Sequence, residues 1–157
     1  PFISSFPSIY PAKLKLSYSE ISTLASIVEK EQNLRSDERP KIAGLYLNRI
    51  QQGMKLESDP TLIFALQDFN INRVLNKDKK VDSPYNTYKF KGLPPGPICI
   101  PSINSIDAVL NFEKHDYIFM CAKEDFSGYH NFATTYKQHL VNARKYQRML
   151  NKKKILR

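Results

Sequence analysis

Glycine, cysteine and long apolar runs are all scarce in this chain, and each scarcity closes off a class of protein. Five glycines in 157 residues, with no Gly/Ser-rich stretch and no self-similarity at a fixed period, argue against loosely tethered modules and against a repeat array. No apolar run reaches the roughly 20 residues needed to cross a bilayer, and no charged-then-apolar leader precedes the rest. The first residue is Pro1 rather than methionine, which reads as a piece processed from a longer protein, so an anchor or export signal is expected upstream. The two cysteines, Cys99 in "PICIP" and Cys121 in "FMCA", lack zinc spacing. Their apolar surroundings suit buried free thiols better than a single disulfide, and they leave the redox compartment open. H-E-x-x-H, G-x-S-x-G and Walker-type patterns are missing as well, so zinc protease, serine hydrolase and nucleotide-binding readings have no support. Neither a metal nor a cofactor is expected.

Acid is missing from one end in particular. The net charge is +9, and the last fourteen residues, "RKYQRMLNKKKILR", hold seven Lys or Arg and no Asp or Glu. Such an end is either a solvated, frayed helix or a docking point for phosphate, anionic lipid or another polyanion. Nucleic acid is not the expected partner, because beyond Tyr146 no aromatic residues are interleaved with these cations as a base-stacking platform requires.

What is present reads as one α+β domain, a helical hairpin plus further helices packed around a small β-sheet, compact and with a cleft. Residues 1–17 form an extended lead-in, with an edge strand considered within residues 1–16. Ser17 and Glu20 have capping-box spacing ahead of an apolar-periodic run, which predicts a helix over 18–33. A second helix is expected from Ser36 as N-cap, with Pro40 in its first turn and Gly53 closing it. After an extended piece at 54–57, Ser58 caps a short helix that has Pro60 early in it. Five prolines and two glycines in "SPYNTYKFKGLPPGPICIPS" exclude regular structure over much of 83–102, though 85–90 is a candidate strand. A short helix in "SINSIDAVLN", strands in "DYIFMCAK" and "GYHNFA", and a terminal helix over 134–153 complete the reading.

The chemistry turns on two acids at the end of the first helix, in "LASIVEKEQNLR". At three- and four-residue steps Ile21, Leu24, Val28 and Glu31 share one stripe. Glu29 lies about 200° around the axis from Glu31, beside Ser22 and Ser26, and is the expected solvent charge. Glu31 is therefore anomalous. Held against apolar neighbours it would keep a proton near neutral pH, as a general acid for glycosidic cleavage must. Alternatively it reaches out to Arg35 or Arg39 in a salt bridge. Two loop segments, "SDPT" and "SPYNTY", bring hydroxyls, amides and tyrosine rings, materials that clamp sugars.

"ASIVEKE", "NRI", "GMKLESDPTLIFAL", "SPYNTY" with "GLPPGPI", and an H-x-F before the last helix occur in one order over residues 18–150. In this the chain resembles the endolytic murein transglycosylases, the MltG or YceG-like family, with the catalytic domain over 18–157. The resemblance implies an enzyme that cuts peptidoglycan glycan strands between N-acetylmuramic acid and N-acetylglucosamine without water, leaving 1,6-anhydromuramic ends. It places the catalytic glutamate, the second acid of E-K-E, at Glu31, in agreement with the helix-face argument. The attacking group is the muramic 6-hydroxyl, so one glutamate serves twice, where an ordinary glycosidase needs two carboxyls.

Around Glu31 the same motifs suggest Asn48, Arg49, Asp59, Thr61, Tyr85, Asn86, Thr87 and Tyr88 as substrate-binding residues, with His130 from H-x-F. Asp59 could equally cap a helix, and Arg49 could equally serve a structural carboxylate. Of the other histidines, His139 follows on the terminal helix, and structural hydrogen bonding near the cleft is the expected use. Glu57 departs from the family, which often carries an amide there. A second carboxyl facing Glu31 would make a water-using muramidase possible, and a noncatalytic glycan-binding module is the remaining alternative. The resemblance also implies a single-pass anchor in the cytoplasmic membrane, a LysM-like region upstream, an extracytoplasmic or periplasmic site of action, and a connection with cell-wall synthesis enzymes that limits nascent strand length.

Overall fold

The computed structural model describes residues 14–153, so most of the lead-in and the last four residues lie outside it. Helix α1, Tyr18–Glu31, starts where the sequence signals it. Ser17 accepts from the Glu20 N–H, and the Glu20 carboxylate accepts from the Ser17 N–H at 2.7 Å. The helix ends at Glu31, two residues before the predicted boundary, and is followed by Gln32, whose amide oxygen accepts the N–H groups of Leu34 and Arg35. A 3-10 turn, Ser36–Glu38, leads into α2, Arg39–Gln51, with Pro40 in the first turn, where its missing N–H costs no helix bond. Gly53 follows at φ 67°, the left-handed geometry that glycine adopts without strain.

Five further elements complete the α+β fold: α3 Asp59–Leu66, α4 Ile103–Leu110, the antiparallel strands β1 Phe119–Ala122 and β2 His130–Ala133, and α5 Tyr136–Lys152. The strands pair Phe119 with Ala133 and Ala122 with His130. Helix α5 packs along them, while α2, α3 and α4 surround α1. The single-stripe reading of α1 was therefore too narrow. Thr23 and Ser26 are buried with Leu24, Ala25, Ile27 and Val28, and their hydroxyls are satisfied locally. Thr23 donates to Ser19 O, and Ser26 donates to Thr23 O while accepting the Ile98 N–H. Glu29 is not a free solvent charge either: it accepts the Ser102 N–H at 2.6 Å, just ahead of α4.

The segment from 67 to 102 contains one short 3-10 turn, Asp78–Lys80, and residues 85–90 form turns instead of the strand considered for them. With few backbone bonds of its own, this loop is held by side chains. Fully buried Asn86 donates to Lys79 O and Val81 O and accepts the Tyr88 N–H. Both cysteines are free thiols as expected, but only half-buried.

One glycine is required by packing rather than by a turn. Gly44 on α2 faces the strand-leading segment 113–117, which His115 fastens by bonding Lys41 O at 2.7 Å. A Cβ at Gly44 would collide with the Glu113 carbonyl oxygen and come within 2.9 Å of His115 Nε2. Gly44→Ala is therefore expected to lose about 1–3 kcal/mol to backbone displacement, more than the ~1 kcal/mol gained in helix propensity. Urea unfolding midpoints should show a clear net loss.

Candidate functional site

Two separate pieces of chain converge on the carboxyl at the end of α1. Tyr46, on the buried face of α2, is 2% exposed, and its hydroxyl donates to Glu31 Oε1 at 2.7 Å. Ser58, fully buried at the start of α3, donates to the same oxygen at 2.8 Å. No described residue donates to Oε2. None of the cations read as alternative partners reaches the carboxylate: Arg39 bonds Gln32 O and Asn104, and Arg35 bonds Ser127 O. Among the described residues no ion pair includes Glu31.

Packed round by protein on all but its cavity flank, the Glu31 carboxyl is pushed above the ordinary glutamate range. Burial is the main cause, and the negative charge of Asp59 adds to it; the bonds from Tyr46 and Ser58 and the nearness of His130 oppose it without cancelling it. The carboxyl also sits on the last residue of α1, at the negative end of the helix dipole. The same burial and the Glu31 charge hold the Tyr46 phenol far above its usual value, so it remains a donor.

Ser58 was read as a helix cap, but its side chain makes no capping bond. It is aimed instead by its surroundings. Glu57 just before it takes φ 52°, a left-handed conformation that is strained for a non-glycine residue. Thr87 accepts the Ser58 N–H and its carbonyl accepts the Glu57 N–H, while Thr61 donates to Ser58 O at 2.7 Å and lies 2.7 Å from the Thr87 hydroxyl. Thr61 and Thr87 are thus buried beneath the site, orienting Ser58.

Glu31 opens onto a cavity of about 370 Å³ whose wall includes Arg49, Glu57, Asp59, Tyr88, His130 and residues 119–122 of β1. Those five side chains of the sequence-predicted set are brought together with Glu31. Asn48, Thr61, Tyr85, Asn86 and Thr87 are not on the wall. Asn48 donates to His115 O and Tyr117 O, and Tyr85 packs its ring on Phe64 at 4.7 Å. Asn86 is committed to the backbone of its own loop. Arg49 is largely structural too: it bonds Ile118 O, Lys55 O and Leu56 O and lies 3.6 Å from the Glu57 carboxylate. Tyr88 donates to Asp59, and burial together with that bond raises its phenol strongly. His139 and Tyr136 of α5 join the wall, the imidazole stacked on Phe119 at 5.2 Å and kept below its usual range by burial and by Arg49.

Sequence reasoning missed Tyr46, the chemical use of Ser58, and Tyr136; His139 lies near the cleft as expected, but its buried Nδ1 has no hydrogen-bond partner among the described residues. Tyr46 carried one signal, a phenol on the apolar face of a helix, which needs a buried acceptor.

Comparison with known proteins agrees in one direction. The sequence model of the YceG-like family matches residues 6–145. The endolytic murein transglycosylase of Bacillus subtilis is 40% identical over 141 residues, covering 90% of this chain and 38% of that protein. That of Streptococcus pneumoniae R6 is 35% identical over 122 residues, 73% of this chain and 22% of that protein. The crystal structure of a yceG-like protein from Listeria monocytogenes superposes with a TM-score of 0.73 at 40% identity, covering 81% of this chain and 40% of that one. The chain thus spans less than half the length of each of these relatives.

A carboxyl whose folded pKa lies above its unfolded value supports the fold while protonated, below about pH 4.3, and that support is lost as pH rises through the raised folded value. The amide introduced by Glu31→Gln would keep an oxygen for Tyr46 and Ser58 to donate to and would carry no charge. The melting temperature of Glu31→Gln relative to wild type should therefore be higher at about pH 8 than at about pH 5.

Proposed function

This chain belongs to the YceG-like family, and we propose that it is the catalytic domain of an endolytic murein transglycosylase acting on peptidoglycan glycan strands. One observation carries the reading: a half-buried carboxyl on a cavity wall, without a cationic partner, with both its hydrogen-bond donors on Oε1. That arrangement leaves Oε2 to carry the proton and to face the sugar.

In this mechanism Glu31 gives its proton to the glycosidic oxygen as the bond to the muramic C1 breaks, so the N-acetylglucosamine side leaves as an alcohol. The muramic 6-hydroxyl closes on C1, a new O6–C1 bond forms, and the Glu31 carboxylate takes the O6 proton, returning to its starting state. No water is consumed. The hydroxyl is part of the same sugar, which gives it the advantage of an intramolecular nucleophile. Tyr46 and Ser58 donate to Oε1 throughout and steady the transient carboxylate. Asp59 and Glu57 put negative charge on the cavity wall, which favours the cationic transition state.

The relatives' greater length supports placing this domain within a longer protein, and the resemblance to the family extends the proposal to one upstream span in the cytoplasmic membrane, with the domain on the extracytoplasmic side beside the enzymes that synthesise the strands. No helix among the described residues is long and apolar enough to cross a membrane.

Mass spectrometry of uncrosslinked strands after incubation should show fragments ending in 1,6-anhydromuramic acid, lighter by one water than hydrolysis products. Glu31→Gln should lower the rate by at least about 100-fold. Reducing ends in their place would make Glu57 or Asp59 a base for water and overturn the lytic mechanism; a Glu31→Gln variant that binds strands and turns over like wild type would remove the acid. Tyr46→Phe deletes a donor that favours the charged form of Glu31, so the alkaline fall in kcat/KM should move to higher pH.

A further inference from the structure

His130 differs from the other wall residues in how completely one side of its ring is fixed. Its Nδ1 lies 2.7 Å from Glu38 Oε2, and its backbone N–H donates to Glu38 Oε1 at 2.9 Å, so one carboxylate grips both the main chain and the ring. Glu38 is 8% exposed and is itself gripped: Gln32 Nε2 donates to Oε2 at 2.6 Å and to Gly128 O at 2.9 Å. Burial alone would raise the Glu38 carboxyl, but the bonds from the His130 ring and backbone and from Gln32 outweigh it and keep it ionised.

An ionised carboxylate can only accept, so the bond at 2.7 Å requires the proton on Nδ1. Whenever the ring is neutral, Nε2 is then its lone-pair nitrogen. No described residue pairs with Nε2, and it is not among the buried unpartnered atoms, so it is open on a residue that lines the Glu31 cavity. Gln32 directly follows Glu31 in the chain, so the same network ties the His130-bearing hairpin to the helix end that carries the acid.

We propose that Glu38 is a positioning residue that fixes the tautomer of His130, so that Nε2 accepts a hydrogen bond from a hydroxyl or acetamido N–H of the saccharide bound beside Glu31. This rests on the cavity being a glycan site, as proposed above. His130 then touches substrate, and Glu38 acts only through it. The amide introduced by Glu38→Gln can donate to Nδ1, which would move the proton to Nε2 and turn an acceptor facing the sugar into a donor facing a donor. This is how a carboxylate-to-amide change disables an orienting partner of a histidine in serine proteases.

Two measurements test the inference. Ring nitrogen NMR of ¹⁵N-histidine-labelled protein, above the pH at which the imidazole titrates, should show His130 protonated at Nδ1 in wild type and at Nε2 in Glu38→Gln. Wild-type protonation at Nε2 would overturn the proposal, even if the variant fails to fold. In strand cleavage, Glu38→Gln should lower kcat/KM by about 10- to 100-fold, and should lower it no further in a His130→Ala background. Equal losses in both backgrounds would make Glu38 merely structural and contradict the proposal. If wild type forms no anhydro ends, the functional reading fails, while the NMR result still decides whether Glu38 sets the tautomer.

Discussion

A carboxyl half-buried without a counter-charge is the constraint around which this fold is arranged. Ionised carboxylates in protein interiors are ordinarily paired, because desolvating the charge is far costlier than desolvating the neutral acid. Here the partners of Glu31 are two hydroxyls, Tyr46 and Ser58. Hydroxyls hold the group in place without neutralising it, so geometry and a raised proton affinity coexist. An arginine in either position would fix the carboxylate equally well and would remove the acid.

Much of the surrounding structure serves to keep that arrangement held and aimed. Helix α1 is enclosed on nearly every side, which is why its hydroxyl-bearing residues Thr23 and Ser26 are buried and bonded locally. The Thr61, Thr87 and Ser58 cluster directs one donor at Glu31, and the strained backbone of Glu57 supplies the turn that permits it. On the opposite side the hairpin is latched to the α1–α2 connection through Gln32, Glu38 and Arg35. The cavity is thus bounded by elements far apart in sequence but mutually braced, as positioning within tenths of an ångström requires.

What could be read from sequence was local. The capping box of Ser17 and Glu20, Pro40 at the start of α2, and the two short apolar strand segments depend on residues within a turn of one another, and the structure has them where they were expected. The placement of Glu31 on the buried side of α1 followed from helical periodicity. The tertiary assignments were harder. Asn86 and Thr87 look like sugar ligands in "SPYNTY", yet a proline-rich loop with few backbone bonds needs polar side chains to satisfy its own peptide groups, and both are consumed there or beneath Ser58. Tyr46 and Ser58 stand 15 and 27 residues from Glu31, and no periodicity connects them. Glu38 and His130 are 92 residues apart.

The central claim, that the environment keeps Glu31 protonated where an ordinary glutamate would be ionised, is most directly tested by ¹³C NMR titration of its side-chain carboxyl in the free protein. The account predicts a midpoint above the ordinary glutamate value of about 4.3, moving higher in Tyr46→Phe. A midpoint at or below that value would mean that the hydroxyl bonds stabilise the anion more than burial opposes it, and Glu31 could not then be the acid that starts the reaction.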